Sequence, residues 1–195
     1  DFALLAWVQE AKRKARDIET LPINMKGLMN IIPEIREMTV LKPKEFCSKL
    51  MKMLSECGIA LVFLPYLKGS LSQGASFMDG NKIVVELTTR DKDADEFWFS
   101  LFHELAHIIL GHIGQTDGTS EQDEKAADSW SRDTLISEKD FLEFVQRRNY
   151  SASNICEYAK KLGIAPGILV GRLQNEGCIK HSMLNELKEH YEIAV

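Results

Sequence analysis

The chain has 195 residues, and 24 lysines and arginines against 29 aspartates and glutamates give it a net charge of −5. With 45% hydrophobic and 27% charged residues it has the composition of a globular protein, long enough to bury a core. No apolar run approaches the roughly 20 residues that cross a bilayer, which excludes a transmembrane helix. The acidic total argues against a surface that binds nucleic acid throughout.

The four cysteines lie far apart and form no C-x-x-C pair; they are Cys47, Cys57, Cys156 and Cys178. This spacing excludes a disulfide framework and a cysteine zinc site, and it fits a reducing compartment. No signal peptide is visible either, so we predict a cytoplasmic protein.

The first 42 residues are predicted to form an N-terminal helical linker region. Apolar residues at helical spacing and a basic run, KRKAR at 12–16, indicate an amphipathic helix over residues 1–19. We interpret the basic run as a solvated helix face rather than a phosphate-contacting arm. Residues 22–40 are predicted as short helical pieces broken at Pro33. Because the chain begins with Asp rather than Met, we expect it to be a fragment of something longer.

Residues 43–195 are predicted to form the main domain. Pro43 opens a helix that runs to about Leu54, with Gly58 as its left-handed C-cap. Apolar runs and alternation predict three strands, at residues 59–64, 74–78 and 82–87. The last two flank Asp79-Gly80-Asn81, which favours a hairpin because such a turn needs positive φ.

Only helices are predicted after the sheet, at residues 97–110, 122–136, 138–146, 153–162, 166–174 and 183–191. The order predicts the α+β class, mostly helical, with a small three-stranded sheet and a C-terminal helical hairpin within residues 150–195. Residues 158–177 have helix-turn-helix spacing, but the second helix offers mostly apolar side chains. We therefore favour a structural hairpin and predict no direct nucleic-acid binding by this fragment.

Three of only five histidines fall between residues 103 and 112, and two of them belong to an H-E-x-x-H motif. On a helix, His103 and His107 share one face and can direct a ring nitrogen at one ion. Glu104 is turned about 100° from His103, close enough to hold a metal-bound water without being a ligand. Three ionisable groups on so apolar a helix need partners, which favours a metal over hydrogen-bonded core histidines. Imidazole ligands predict Zn²⁺.

A catalytic zinc needs a third protein ligand. The metzincin pattern fails, because apolar residues occupy its glycine and third-histidine positions. Glu124, at the start of the next predicted helix, is the favoured ligand, as in gluzincins. Asp128, four residues further on, can accept the other N–H of a ligand histidine. His112, Asp123 and Asp128 itself are the alternative third ligands.

These residues resemble the ImmA/IrrE metallopeptidase family, in the runs FWFSLFHELAHIILGH at 97–112 and EKAAD at 124–128. The hairpin start GASF at 74–77 is similar to the same family. The run GIAPGILVGRLQ at 163–174 resembles members that are fused behind a Cro/C1-type DNA-binding domain. The resemblance covers about residues 43–191.

The resemblance implies a zincin-like metallopeptidase core. Position by position, it implies His103, His107 and Glu124 as zinc ligands and Glu104 as the catalytic base. Members of the family resemble enzymes that cleave a partner repressor, and the fused members resemble antitoxin-type regulators of the HigA class. A repressor or toxin is therefore the expected partner, and an N-terminal DNA-binding domain is expected outside this chain.

Two functions follow from these observations. The first is a zinc endopeptidase that cleaves a protein partner, with Glu104 taking a proton from the zinc-activated water. The second is a non-catalytic regulatory or antitoxin module that binds metal or a toxin. The hairpin over residues 74–87 offers an edge strand to an extended substrate. For stabilising the oxyanion, His181 and Tyr158 are available, but their spacing favours neither.

Overall fold

A computed structural model describes residues 2–65, 74–88, 92–114 and 118–191. Its helices are α1 (Phe2–Arg16), α2 (Met25–Glu37), α3 (Pro43–Ser55), α4 (Ala94–Ile109), α5 (Glu121–Leu135), α6 (Glu138–Gln146), α7 (Ala152–Leu162) and α8 (Pro166–Asn175). Its strands are β1 (Ile59–Leu64), β2 (Gly74–Asp79), β3 (Lys82–Thr88), β4 (Lys92–Asp93) and β5 (His190–Tyr191). Within these described ranges, no helix is long and apolar enough to cross a membrane.

The main sheet has three strands in the order β1-β3-β2. β3 pairs in parallel with β1 and antiparallel with β2. The hairpin turn between β2 and β3 contains Gly80, whose φ of +62° such a turn requires. Among the described residues only β3 pairs with β2, which is therefore an edge strand. The predicted α+β class, mostly helical with a three-stranded sheet and C-terminal helices, is confirmed.

Helices cover both faces of this sheet, because strand residues alternate between its two sides. The α1 face is a small apolar cluster of Trp7, Ala11, Ala15, Ala60, Val62, Leu64 and Val84. Lys82 Nζ donates to the carbonyls of Ala15 and Ile18, at 3.1 and 2.6 Å, and so fixes the C-terminal end of α1. The other face belongs to the larger core, with Phe46 of α3 and Phe97 of α4.

Helix α4 lies at the centre of the larger core. Its buried apolar side chains include Phe97, Trp98, Leu101, Phe102 and Leu105. Trp98 Nε1 donates to the hydroxyl of Tyr191 at 2.9 Å, and β5 pairs antiparallel with β4. The C-terminal segment is thereby tied to the start of α4.

Helices α7 and α8 form the hairpin that was predicted near the C-terminus. The apolar side chains of α8 are buried: Ile168, Leu169, Val170 and Leu173. Arg172 and Gln174, two polar side chains of α8, are only 7% and 4% exposed. Arg172 donates to the carbonyl of Ile136 and to Glu138 Oε2. These polar side chains are therefore used in packing the hairpin.

Two predictions about the first helices are wrong. Helix α2 is not broken at Pro33 but runs through it from Met25 to Glu37. Pro33 is exposed, so the carbonyl that its missing N–H leaves unbonded is on the solvent side of the helix. Gly58 has the predicted left-handed conformation, at φ +85°, but it is not the C-cap of α3. The helix ends at Ser55 with Glu56 as its C-cap, and Gly58 lies in the turn that follows.

The predicted helix over residues 183–191 is also wrong. This segment forms a short 3-10 turn at Asn185–Leu187 and then β5. Gln174 Nε2 donates to the carbonyls of His181 and Met183 and to Asn185 Oδ1, at 3.2, 2.9 and 2.8 Å. These bonds to α8 hold the backbone in a tight turn, which overrides its helical pattern.

Candidate metal centre

The H-E-x-x-H motif lies in the last two turns of α4. Glu104 and His107 are buried, at 7% and 4% exposed, and His103 is partly buried. The Nε2 atoms of His103 and His107 lie 3.0 Å apart, as residues four apart on one helix face should. Both rings therefore present a nitrogen to the same point.

A capping box at the start of α5 fixes the place of Glu124. Ser120 Oγ accepts from the N–H of Asp123 at 3.2 Å, and the Asp123 carboxylate accepts from the N–H of Ser120 at 2.9 Å. The next side chain, Glu124, brings its carboxylate to 3.2 Å from His103 Nε2 and 3.6 Å from His107 Nε2.

These three side chains form a group that can hold a metal ion. One ligand atom from each of His103, His107 and Glu124 lies within 4.8 Å of the other two. Two imidazole nitrogens and one carboxylate oxygen are the donor set of a catalytic zinc site. The alternative third ligands, His112, Asp123 and Asp128, are not part of this group.

The protonation states of the group suit a cation. Burial lowers the pKa of His107 below its ordinary value of 6.5, and the neighbouring His103 lowers it further. Burial alone would raise the pKa of Glu124, but a hydrogen bond from Thr119 and the two histidines bring it below its ordinary value of 4.5. At neutral pH His107 is thus neutral and Glu124 ionised, the forms in which these side chains bind metals.

Asp128 lies against the far side of the His103 ring. Its carboxylate oxygen is 2.8 Å from His103 Nδ1, although off the direction of the ring N–H. It shares a face of α5 with Glu124, because the two are four residues apart.

His112 lies against the far side of the His107 ring. A Schellman turn ends α4: Gly111, at φ +77°, donates to the carbonyl of Ile108, and the N–H of His112 donates to the carbonyl of His107. This turn carries His112 Nδ1 to 3.0 Å from His107 Nδ1. Continued helical spacing would place His112 on a different face from His107. Gly111 is the sequence signal for the turn that ends the helix and brings the two rings together.

Glu104 lies at the edge strand. A Cβ on Gly74, the first residue of β2, would lie 3.0 Å from both Cγ and Oε1 of Glu104. The glycine therefore makes room for the Glu104 carboxylate. A side chain at position 74 would displace either this carboxylate or the strand.

A second buried carboxylate, Glu86 of β3, was not singled out from the sequence. It is 0% exposed, and neither of its oxygens has a hydrogen-bond partner among the described residues. Burial, and secondly the charge of Glu104, raises the pKa of Glu86 to about 8, so this carboxyl is protonated at neutral pH. The sequence feature that could have revealed Glu86 is its position as a lone acid within the apolar run IVVELT at 83–88.

The two side chains considered for stabilising the oxyanion have different surroundings. Tyr158 is buried, and its hydroxyl donates to the carbonyl of Asp140 at 2.9 Å. This hydroxyl is therefore used in the packing of α7 on α6. His181 is exposed and lines a cavity near the candidate metal centre.

That cavity has a volume of about 560 Å³ and lies between α4, α5 and α8. Its lining includes Phe99, Asp128, Arg132, Ile168 and Arg172. Phe99 comes one helical turn before His103 on α4, and Asp128 one turn after Glu124 on α5. The cavity therefore adjoins the candidate metal centre along the groove between these two helices.

Comparison with known families places this site in a wider group. The family model of the IrrE N-terminal-like domain, peptidase family M78, matches residues 55–174. This range begins just before β1 and ends within α8, so it includes the sheet and both helices of the candidate metal centre. No curated protein matches the chain. A fused Cro/C1-type domain stays a prediction, but the chain itself belongs to peptidase family M78, a zinc metallopeptidase-like family.

Proposed function

We propose that the protein is a zinc-dependent endopeptidase that cleaves a protein partner such as a transcriptional repressor. The observation that carries the proposal is the convergence of His103, His107 and Glu124 next to the buried Glu104. A structural zinc site is closed by four protein ligands, whereas the described residues bring three together here. An open coordination position is what a hydrolytic zinc needs.

In this proposal His103, His107 and Glu124 hold Zn²⁺. Zinc bound there would polarise the substrate carbonyl and lower the pKa of a water toward about 7. Glu104 accepts the proton of the attacking water and then donates it to the leaving amine, acting first as base and then as acid. Asp128, whose carboxylate lies 2.8 Å from His103 Nδ1, is the proposed acceptor of a hydrogen on that nitrogen, which would leave Nε2 of the ring free to bind the ion.

The substrate is proposed to lie along β2. β2 is an edge strand in the described part of the sheet, and an extended peptide can add to such an edge. Gly74, at the start of β2, contacts Glu104, so a peptide paired with the strand passes the proposed base. The adjoining cavity of about 560 Å³ has room for a substrate side chain.

The partner and the cellular setting are proposed from the family resemblance. A repressor or a toxin is the partner that ImmA/IrrE relatives imply, and a Cro/C1-type domain N-terminal to this chain belongs to the same proposal. All four cysteines are free, which supports a reducing cytoplasm.

The substitution Glu104→Gln tests this function. The full chain is loaded with zinc and incubated with a proteome-derived peptide library, and new peptide termini are identified by mass spectrometry. Wild type is expected to produce termini that the E104Q variant does not. Elemental analysis should find equal zinc in both, because Glu104 is not among the three proposed ligands.

Each other outcome overturns a defined part of the proposal. Fewer than roughly 0.1 zinc per wild-type chain after zinc addition would contradict the metal site. Zinc binding without any cleavage by wild type would favour the alternative function, a regulatory or antitoxin module that binds metal or a toxin. Equal cleavage by E104Q would remove Glu104 from the mechanism.

A further inference from the structure

We infer that His112 and Asp123 are positioning residues that hold the His107 ring with its Nε2 turned toward the metal. The inference rests on the proposed function, since it concerns a ligand of the proposed zinc. It assigns a role to a histidine outside the H-E-x-x-H motif and to a carboxylate that lies beside the third ligand, Glu124.

Contacts connect these residues in a single line. His107 Nδ1 lies 3.0 Å from His112 Nδ1, and His112 Nε2 lies 3.4 Å from Asp123 Oδ1. The side chain of His112 is 10% exposed and that of Asp123 is 21% exposed. Both nitrogens of the His112 ring therefore face a protein group in a largely enclosed place.

If His107 binds a metal through Nε2, the hydrogens along this line can be arranged in only one way. That nitrogen must then carry no hydrogen, so Nδ1 carries it and donates to His112 Nδ1. His112 must in turn carry its own hydrogen on Nε2, which faces Asp123. A carboxylate accepts there, so Asp123 fixes the tautomer of His112, and His112 fixes that of His107.

Asp123 also connects this line to the start of α5. Its other oxygen, Oδ2, accepts from the N–H and the Oγ of Ser120, at 2.9 and 2.8 Å. One carboxylate thus caps the helix that carries Glu124 and orients a ligand on α4. Proper placement of His107 is thereby coupled to proper placement of Glu124.

The same geometry argues against His112 as a zinc ligand. Its Nδ1 is used at the far side of the His107 ring, and His112 is absent from the group of converging ligand atoms. The two ligand histidines therefore have different partners: a carboxylate, Asp128, faces His103, and an imidazole faces His107.

The inference is tested by the zinc affinity of the full chain, measured by competition with a chromophoric chelator. His112→Leu removes the contacts to both His107 and Asp123 and should weaken zinc binding about 10- to 100-fold, the usual effect of losing such a partner. His112→Gln keeps an amide near the same place and should recover most of the affinity. His190→Leu is the matched control, because it makes the same change at an exposed histidine of β5, and it should stay within about threefold of wild type.

Nitrogen NMR of the histidine rings gives a readout that needs no variant and no activity. In the zinc-loaded wild-type chain, His107 is expected to carry its hydrogen on Nδ1, and His112 on Nε2. A His112 hydrogen on Nδ1 would overturn the inference even if His112→Leu failed to fold.

The outcomes separate this inference from the proposed function. Wild-type affinity in H112L, or an equal loss in H112L and H190L, would overturn the positioning role and leave the zinc peptidase standing. A wild-type chain that binds no zinc would overturn both.

Discussion

At the scale of single residues, Glu86 shows how burial raises the pKa of an acid that lies near the proposed base, Glu104. Glu86 is fully buried and unpartnered among the described residues, and the nearby charge of Glu104 adds to the rise in its pKa. Because Glu86 is protonated at neutral pH, it adds no second negative charge near Glu104.

Replacing Glu86 should change how stability depends on pH. Its carboxyl has a pKa of about 8 in the folded chain against an ordinary value of 4.5. The stability that this bound proton contributes is complete below about pH 4.5 and is lost as the pH rises toward 8, by up to about 1.4 kcal/mol per pH unit. The amide in Glu86→Gln does not ionise, so its free energy of unfolding should fall less than that of wild type over this range.

Urea unfolding of both proteins at several pH values measures this difference. Glu157→Gln, at an exposed glutamate of α7, is the matched control, and its stability should follow the wild-type curve. An E86Q curve that runs parallel to wild type from about pH 5 to 8 would contradict the protonated state of Glu86.

Residues of the site differ in how far the sequence could reveal them. His103, Glu104 and His107 share one helix, so spacing alone predicts that the histidines converge. Glu124 was favoured because a catalytic zinc needs a third ligand and this glutamate lies at the start of the next predicted helix. The contact between His112 and Asp123 depends on how the loop between α4 and α5 closes, and helical periodicity carries no information on that closure.

At the scale of elements, the contact between α4 and α8 depends on one glycine. Asp95 Oδ2 lies 2.8 Å from Lys188 Nζ, with both side chains about nine-tenths buried. A Cβ on Gly171 of α8 would lie 2.2 Å from the same Asp95 oxygen. A glycine inside a helix usually lowers its stability, so its place here is explained by the close approach of a buried ion pair.

Gly171→Ala should therefore destabilise the protein despite the better helix propensity of alanine. The Asp95 carboxylate must move away from Lys188, and overpacking of this kind costs about 1–3 kcal/mol in the free energy of unfolding. Urea unfolding at neutral pH measures the loss. In an Asp95→Ala background the clash with the carboxylate is absent and only the 3.0 Å approach to the Cβ of residue 95 is left, so the same change should destabilise by much less. Equal destabilisation in both backgrounds would contradict the clash.

Elements held by local signals were predictable, and those held by distant contacts were not. The hairpin with Gly80 follows from turn chemistry that lies within a few residues. The segment after α8 has a helical pattern. It nevertheless forms a turn and a strand, because Gln174 donates to its backbone and Trp98 donates to the hydroxyl of the buried Tyr191. Pro33 is a local signal that predicted a break and was wrong. A helix tolerates a proline when the carbonyl that lacks its N–H partner is on the solvent side.

At the scale of the whole molecule, the sheet separates two packing regions. The metal centre lies with α4 and the larger core on one face, whereas α1 covers the other face through the smaller cluster around Trp7. Helix α1 lies outside the range matched by the family, residues 55–174. The family range thus needs a helix from outside it to bury one face of its own sheet.

This separation predicts that stability and metal binding can be changed independently. Trp7 is 3% exposed and packs on the sheet, so Trp7→Ala should lower the free energy of unfolding by about 3–5 kcal/mol. The zinc affinity of the folded variant should stay within about twofold of wild type, because the candidate ligands lie beyond the opposite face. Leu21→Ala, at a side chain 59% exposed, is the control and should change neither quantity. A loss of zinc affinity in folded W7A of more than about twofold would show that the two faces of the sheet act as one unit, contrary to this division.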